Sequence, residues 1–189
     1  MINREEAYKI LRKYLVKLSL QQHCLATALV MEKIAEKIGE DAEEYFITGY
    51  LHDIDLDIIG NDMKIHAQKG VEILKQYDVP EHILNAILAH NRHKKLETKI
   101  EKALWVADPI NGLVIASALM RPDKSISTMK LKSLKKKYKS KKFAAGVSRE
   151  QIEDCQLLGF TLDEFLQLAI DALAPHEVRL GLGENKACE

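Results

Sequence analysis

The residues best able to do chemistry in this chain are its histidines and a few aspartates. Seven histidines stand at positions 23, 52, 66, 82, 90, 93 and 176, and His52 is followed directly by Asp53. A single histidine on an apolar helix face reads as a satisfied core residue. Here the arrangement is serial: His23, the His52-Asp53 pair, His66, His90 and Asp108 recur along successive helical segments. Neutral imidazoles and carboxylates are standard ligands for divalent first-row metals, and antiparallel helices can project such ligands into a shared interior. Asp53 and Asp108 lie among apolar neighbours (Tyr50, Leu51, Val106, Ala107). Burying them there is costly without a cation, and a metal resolves that cost.

The elements that must position these residues read as helices. Leu25, Leu29, Val30, Ile34 and Ile38 recur at helical spacing, with Ser19 and Gln22 predicted to form a capping box and Gly39 the stop. Asp41 with Glu44 opens the next helix, which runs to about His52. Three carboxylates and Gly60-Asn61 make 54–62 a loop. A helix is expected from about Met63 to Tyr77, then another from a cap at Asp78 with Pro80 in its first turn. Thr98 and Glu101 cap a long apolar helix through Ala118, interrupted by Pro109, which can kink it and aim Asp108. Ser148 with Gln151 and Thr161 with Glu164 start the last two helices. No alternating strand pattern or internal repeat is legible. The expected architecture is all-α: one domain over 1–189, a bundle of about eight helices, with C-terminal helices over 148–184.

With 189 residues, 47% hydrophobic and 30% charged, the chain fits an ordinary globule that can bury a core unaided and argues against disorder. No apolar run approaches the roughly 20 residues that span a bilayer. The first residues, MINREEAYKILRKYLVK, are charged and amphipathic, unlike a signal peptide. Cys24, Cys155 and Cys188 are far apart with no CxxC pair, so reduced thiols and a cytoplasmic location are expected. The net charge of zero is unevenly distributed: 124–142 holds nine lysines and no acid. Such a run points to one cationic surface.

The phrases GYLHDID, HAQKG, ILAHN and VADPINGL, in that order over about residues 20–120, resemble the HD-domain superfamily of metal-dependent phosphohydrolases, and the remainder is similar to small bacterial HD hydrolases. The resemblance implies that His23, His52, Asp53 and Asp108 hold a first metal. In the two-metal branch Asp53 bridges, and His66 and His90 bind the second ion. His93 is an alternative to His90, whereas His82 and His176 match no motif position. The chain departs from the family's widespread HDIG-plus-lysine form: it reads His52-Asp53-Ile54-Asp55-Leu56, so the glycine and lysine positions are both changed.

The implied activity is a phosphomonoesterase or phosphodiesterase acting on a nucleotide or related small phosphate. One or two divalent ions (manganese, iron, cobalt or nickel, with magnesium and zinc less suited) lower the pKa of bound water. Asp53 belongs to that machinery. Asp55 and Asp57 either orient water and protonate a leaving group or are solvated loop carboxylates. Lys141 and Lys142, with Arg149, either bind substrate phosphate or belong to a solvated cationic segment. That segment offers only Tyr138 and Phe143 for stacking, which argues against a nucleic-acid platform; no membrane partner is expected, and a homodimer is open. Competing readings are a di-iron oxygenase with the same six ligands and a non-catalytic metal-binding module. A structural site usually closes with four ligands, which argues against the module.

Overall fold

The computed structural model describes residues 2–60 and 62–183; Asn61 and Cys188 lie outside them. Among the described residues there are helices and turns and no strand. The helices are α1 (Arg4–Tyr14), α2 (Leu18–Ile38), α3 (Ala42–Leu51), α4 (Leu56–Ile59), α5 (Gln68–Leu74), α6 (Glu81–His90), α7 (Lys99–Leu119), α8 (Leu131–Lys139), α9 (Arg149–Glu153) and α10 (Leu162–Leu173). Short 3-10 segments follow α9 and α10. No helix among the described residues is long and apolar enough to cross a membrane.

Two 21-residue helices, α2 and α7, form the centre. α2 packs against α3, α7 and α10, and α7 also meets α6 and α9. Ten residues of α2 are buried, among them Ala26, Ala28, Met31, Ile34 and Ala35, because partners surround it on several sides. The α2–α3 approach depends on Gly49, where a Cβ would sit 2.8 Å from the Ala28 Cα. Backbones that close leave no room for a side chain, so the helix ending at His52 is locked to the helix carrying His23.

Capping matches the sequence at Asp41, Thr98, Ser148 and Thr161, whose side chains accept from first-turn backbone N–H groups. It differs at three places. α2 begins at Leu18 with Lys17 in the cap position and no side-chain cap. The N–H groups of Val16 and Lys17 instead donate to Asp57 Oδ2 at 2.7 and 2.9 Å, anchoring the chain just ahead of the helix. The expected helix over 63–77 is regular only from Gln68, because Ala67 has φ +66° and cannot continue a right-handed helix. α6 starts at Glu81 with Pro80 in the cap position, not at a cap on Asp78.

Pro109 lies inside α7 and has no N–H for the Trp105 carbonyl. Gln151 Nε2 approaches that carbonyl at 3.5 Å, and Trp105 Nε1 donates to Asp154 at 2.9 Å. The segment after the lysines thus packs over the interruption in α7.

Candidate metal centre

Five elements converge on Asp53. α2 supplies His23, the end of α3 supplies His52 and Asp53, the turn before α5 supplies His66, α6 supplies His90 at its last residue, and α7 supplies Asp108. The two carboxylate oxygens of Asp53 face different partners. Oδ2 lies 3.3 Å from His23 Nε2 and 3.2 Å from His52 Nε2. Oδ1 lies 3.2 Å from His66 Nε2 and 3.5 Å from His90 Nε2. Asp108 Oδ1 joins the first group, 3.0 Å from His23 Nε2 and 3.7 Å from His52 Nε2. His52, Asp53, His66 and His90 are buried, whereas His23 and Asp108 are part-exposed and form the open side.

The outer ring nitrogens explain why the inner ones point inward. His52 Nδ1 meets the Gly49 carbonyl at 2.8 Å, and His90 Nδ1 meets the Ile87 carbonyl. His66 Nδ1 meets Asp55 Oδ1 at 2.8 Å. Each partner only accepts, so each Nδ1 carries the hydrogen and Nε2 is the nitrogen left to bind something. This orientation by outer partners is what metal-binding imidazoles use.

The arrangement fits a cation. His66 Nε2 and His90 Nε2 stand 3.2 Å apart, and His52 Nε2 is buried without a hydrogen-bond partner. In neutral rings those atoms present lone pairs to one another and to Asp53. Something positive must stand among them. Without metal, protons take that place. Burial alone would depress His23, but Asp108 and Asp53 outweigh it and lift its pKa to about 10. The same balance lifts His52 and His66 to about 9. Burial would raise Asp53 and Asp108, yet the facing imidazoles hold both below the usual carboxylate range. His23, His52 and Asp108 offer ligand atoms within 4.8 Å of one another, as do His52, Asp53 and His90. Cys24 is buried nearby, but burial and then Asp53 push its thiol well above the usual range, which disfavours a thiolate ligand.

Asp55 is neither a solvated loop carboxylate nor a group free to move protons. It is fully buried and accepts from His66 Nδ1, from Ala67 N at 2.8 Å and from Gly70 N at 2.9 Å. It fixes the His66 ring and holds the strained Ala67 backbone. A Cβ at Gly70 would lie 3.4 Å from Asp55 Oδ2, so the glycine keeps that approach open. The aspartate at the family's glycine position, with Gly70 four residues beyond His66, was the available signal for this role. Asp57 is occupied elsewhere, binding the 16–17 backbone and Lys17 Nζ at 3.0 Å. Asn111 is a contributor that the motif reading missed. Its Nδ2 donates to the Asp108 carbonyl at 2.9 Å and to Thr27 Oγ1 at 2.7 Å, and Thr27 donates to the His23 carbonyl. It ties α2 to α7 one turn from His23 and Asp108.

The cationic residues are arranged differently. Arg149 donates to the carbonyls of Ala144 and Val147 at 2.6 and 2.8 Å and to that of Phe143, closing the turn after α8. Its guanidinium is therefore engaged by backbone, not held out for a phosphate. Lys141 and Lys142 are exposed. Lys141 shares a surface cavity with Arg149, Glu150 and Glu153. His82 pairs with Glu44 at 3.1 Å, and His93 Nε2 meets the His66 carbonyl at 2.8 Å, outside the cluster.

The comparisons with known proteins match the geometry. A family model for the HD domain matches residues 20–128. Ribonuclease Y of Mycoplasma mycoides subsp. mycoides SC is 32% identical over 111 residues, covering 57% of this chain and 22% of the relative. Ribonuclease Y of Chlorobaculum tepidum is 35% identical over 104 residues, covering 55% and 18%. The chain therefore spans about a fifth of the length of these curated relatives. No solved structure matches. The matched segment takes in all six convergent residues, from His23 to Asp108, and the chain belongs to the HD domain family.

Proposed function

We propose that the protein is a metal-dependent phosphohydrolase that cleaves a phosphate ester, with a nucleotide or related small phosphate as substrate. The carrying observation is the split carboxylate of Asp53, one oxygen toward His23 and His52 and the other toward His66 and His90. Such a bridge suits two divalent ions, with His23, His52 and Asp108 on one and His66 and His90 on the other. Ions held there would supply an acidified water and polarise a phosphoryl oxygen. Mixed imidazole and carboxylate donors suit manganese, iron, cobalt or nickel.

The chain's own residues account for orientation. Asp55 keeps the His66 proton on Nδ1, and the Gly49 and Ile87 carbonyls do the same for His52 and His90. Part-exposed His23 and Asp108 leave the approach for substrate on the α2–α7 side. Lys141 and Lys142 are the cations proposed to stabilise substrate phosphate. The relatives named ribonuclease favour phosphate-ester chemistry for the matched segment, and a cytoplasmic location accords with the absence of a membrane-spanning helix among the described residues. The test is elemental analysis of protein purified without a chelating tag, then a phosphate-release screen with several divalent ions. Release dependent on manganese, iron, cobalt or nickel is expected. Iron-dependent oxygen uptake without phosphate release would replace this reading with an oxygenase.

A further inference from the structure

A second site lies on another face of α2. A cavity of about 260 Å³ is lined by Tyr8 and Arg12 of α1, Gln21 and Gln22 of α2, Tyr50 of α3 and Arg179 from the turn after α10, with two α2 leucines beside them. No acid lines it. No acid among the described residues pairs with Arg12 or Arg179, whereas Arg4 and Arg121 are each engaged by carboxylates. Two arginines at one concavity, with no acid paired to them among the described residues, make a positive field there. Tyr50 lines the same cavity, and a phenol hydroxyl can donate a hydrogen bond to an anion there.

The backbone that carries Arg179 is fixed by packing and a hydrogen bond. Arg179 sits on a tight turn whose flanking Leu180 and Leu182 are buried, and whose Leu182 N–H bonds back to the Glu177 carbonyl at 2.9 Å. Gly181, at φ +75°, lets the Gln22 amide approach where a Cβ would lie 2.8 Å away. Tyr8 meets Tyr50 edge-on at 4.8 Å. On α2 the stripe Leu18, Gln21, Gln22 and Leu25 lines the cavity, while His23 and Thr27 face α7. At about 100° per residue the two stripes lie on well-separated faces of the helix. The cavity and the metal centre therefore share a helix without sharing a face.

We propose that this pocket binds a phosphate group, as inorganic phosphate or as the end of a small phosphomonoester, through bidentate contacts from Arg12 and Arg179 and donors from Tyr50 and the glutamines. Guanidinium forks match the oxygens of a phosphate. The volume falls below the roughly 300–1,000 Å³ of drug-sized pockets, so the organic part is small. Tyr50 lies two residues before His52 and Gln22 one before His23, so an occupant would brace the helices that carry the metal ligands. The inference does not depend on the reaction at that centre.

Calorimetric titration of the full chain tests it, with inorganic phosphate and with the non-hydrolysable phenylphosphonate as probes. Asp53→Ala silences the metal centre and is expected to leave one phosphate site. Adding Arg12→Gln or Arg179→Gln should weaken that site at least about tenfold each. In the metal-loaded wild type the same arginine substitutions should remove one bound phosphate and leave metal content unchanged, a measurement that stands even where Asp53→Ala fails to fold. Tighter phenylphosphonate than phosphate identifies an ester ligand, and equal affinity identifies the free anion. Phosphate affinity and stoichiometry that ignore both arginine substitutions overturn the proposal.

Discussion

The six-residue cluster and the lysine-rich segment concentrate functional groups in opposite ways. The cluster gathers histidines and aspartates that are dispersed over 86 positions, from His23 to Asp108, through five elements onto one carboxylate. The segment 124–142 gathers nine lysines in sequence, yet α8 buries Leu134 and Tyr138 and leaves most of the lysines at the surface. Lys135 pairs with Asp163 at 2.6 Å, a surface ion pair of small consequence. A run along the chain can point only a few side chains at one place. Convergence from separate helices gives each group a fixed direction, and here His52, His66 and His90 each have the outer nitrogen secured.

The largest test of this contrast is Asp53→Ala. It removes the carboxylate that both histidine groups face, and metal content and turnover should both be abolished. Full metal and full activity in that variant would break the distinction outright. Next comes the internal division of the cluster. His66→Ala and His90→Ala should each lower bound metal from two ions to one, while His23→Ala empties the other position. A single ion whichever histidine is replaced would show that His66 and His90 serve the substrate instead.

Asp55→Asn should be the strongest change outside the ligands. It keeps the shape but weakens acceptance from His66 Nδ1 and two backbone amides, and metal affinity should fall about 10–100-fold, as for other outer partners of metal-binding histidines. Equilibrium metal titration reads this directly, and an Asp57→Asn control should leave affinity in place.

The cluster should also respond to pH in a way the lysine segment does not. Metal-free protein has His23, His52 and His66 raised above their ordinary value, to about 10, 9 and 9. Their contribution to stability is full below the unfolded pKa of 6.5 and is lost as pH rises through 9 to 10. Thermal denaturation of chelated protein should therefore show Tm falling over that window. Metal needs the deprotonated rings, so added metal should raise Tm more at pH 9 than at pH 6.5. A flat profile in chelated protein would contradict the charged cluster.

The cations should act on turnover and not on metal. Lys141→Ala and Lys142→Ala should each weaken kcat/KM by about one to two decades without changing metal content, the scale of one charge-assisted hydrogen bond. Lys132→Ala and Lys135→Ala should do little. Equal small losses from all four that fade with salt would reduce the segment to electrostatic steering. Arg149→Ala should instead lower Tm, because its carbonyl partners at 143, 144 and 147 lose their donor.

Helical periodicity and caps such as Asp41, Thr98 and Thr161 made the all-α architecture readable, because those signals act within a few residues. The ligand series was readable for a different reason: the types and order of His23, His52-Asp53, His66, His90 and Asp108 survive in one dimension. Position 55 was not readable in that way. Its aspartate finds His66 and Gly70 only when the loop after α3 folds back on the turn before α5, and that same capture delays α5 to Gln68. Asp57 likewise took its partners from the distant 16–17 backbone, not from spacing. Local energetics selects helices and ligand types from sequence; which side chain is spent on backbone and which is left for chemistry depends on long-range packing, because the competing partners meet only in the folded chain.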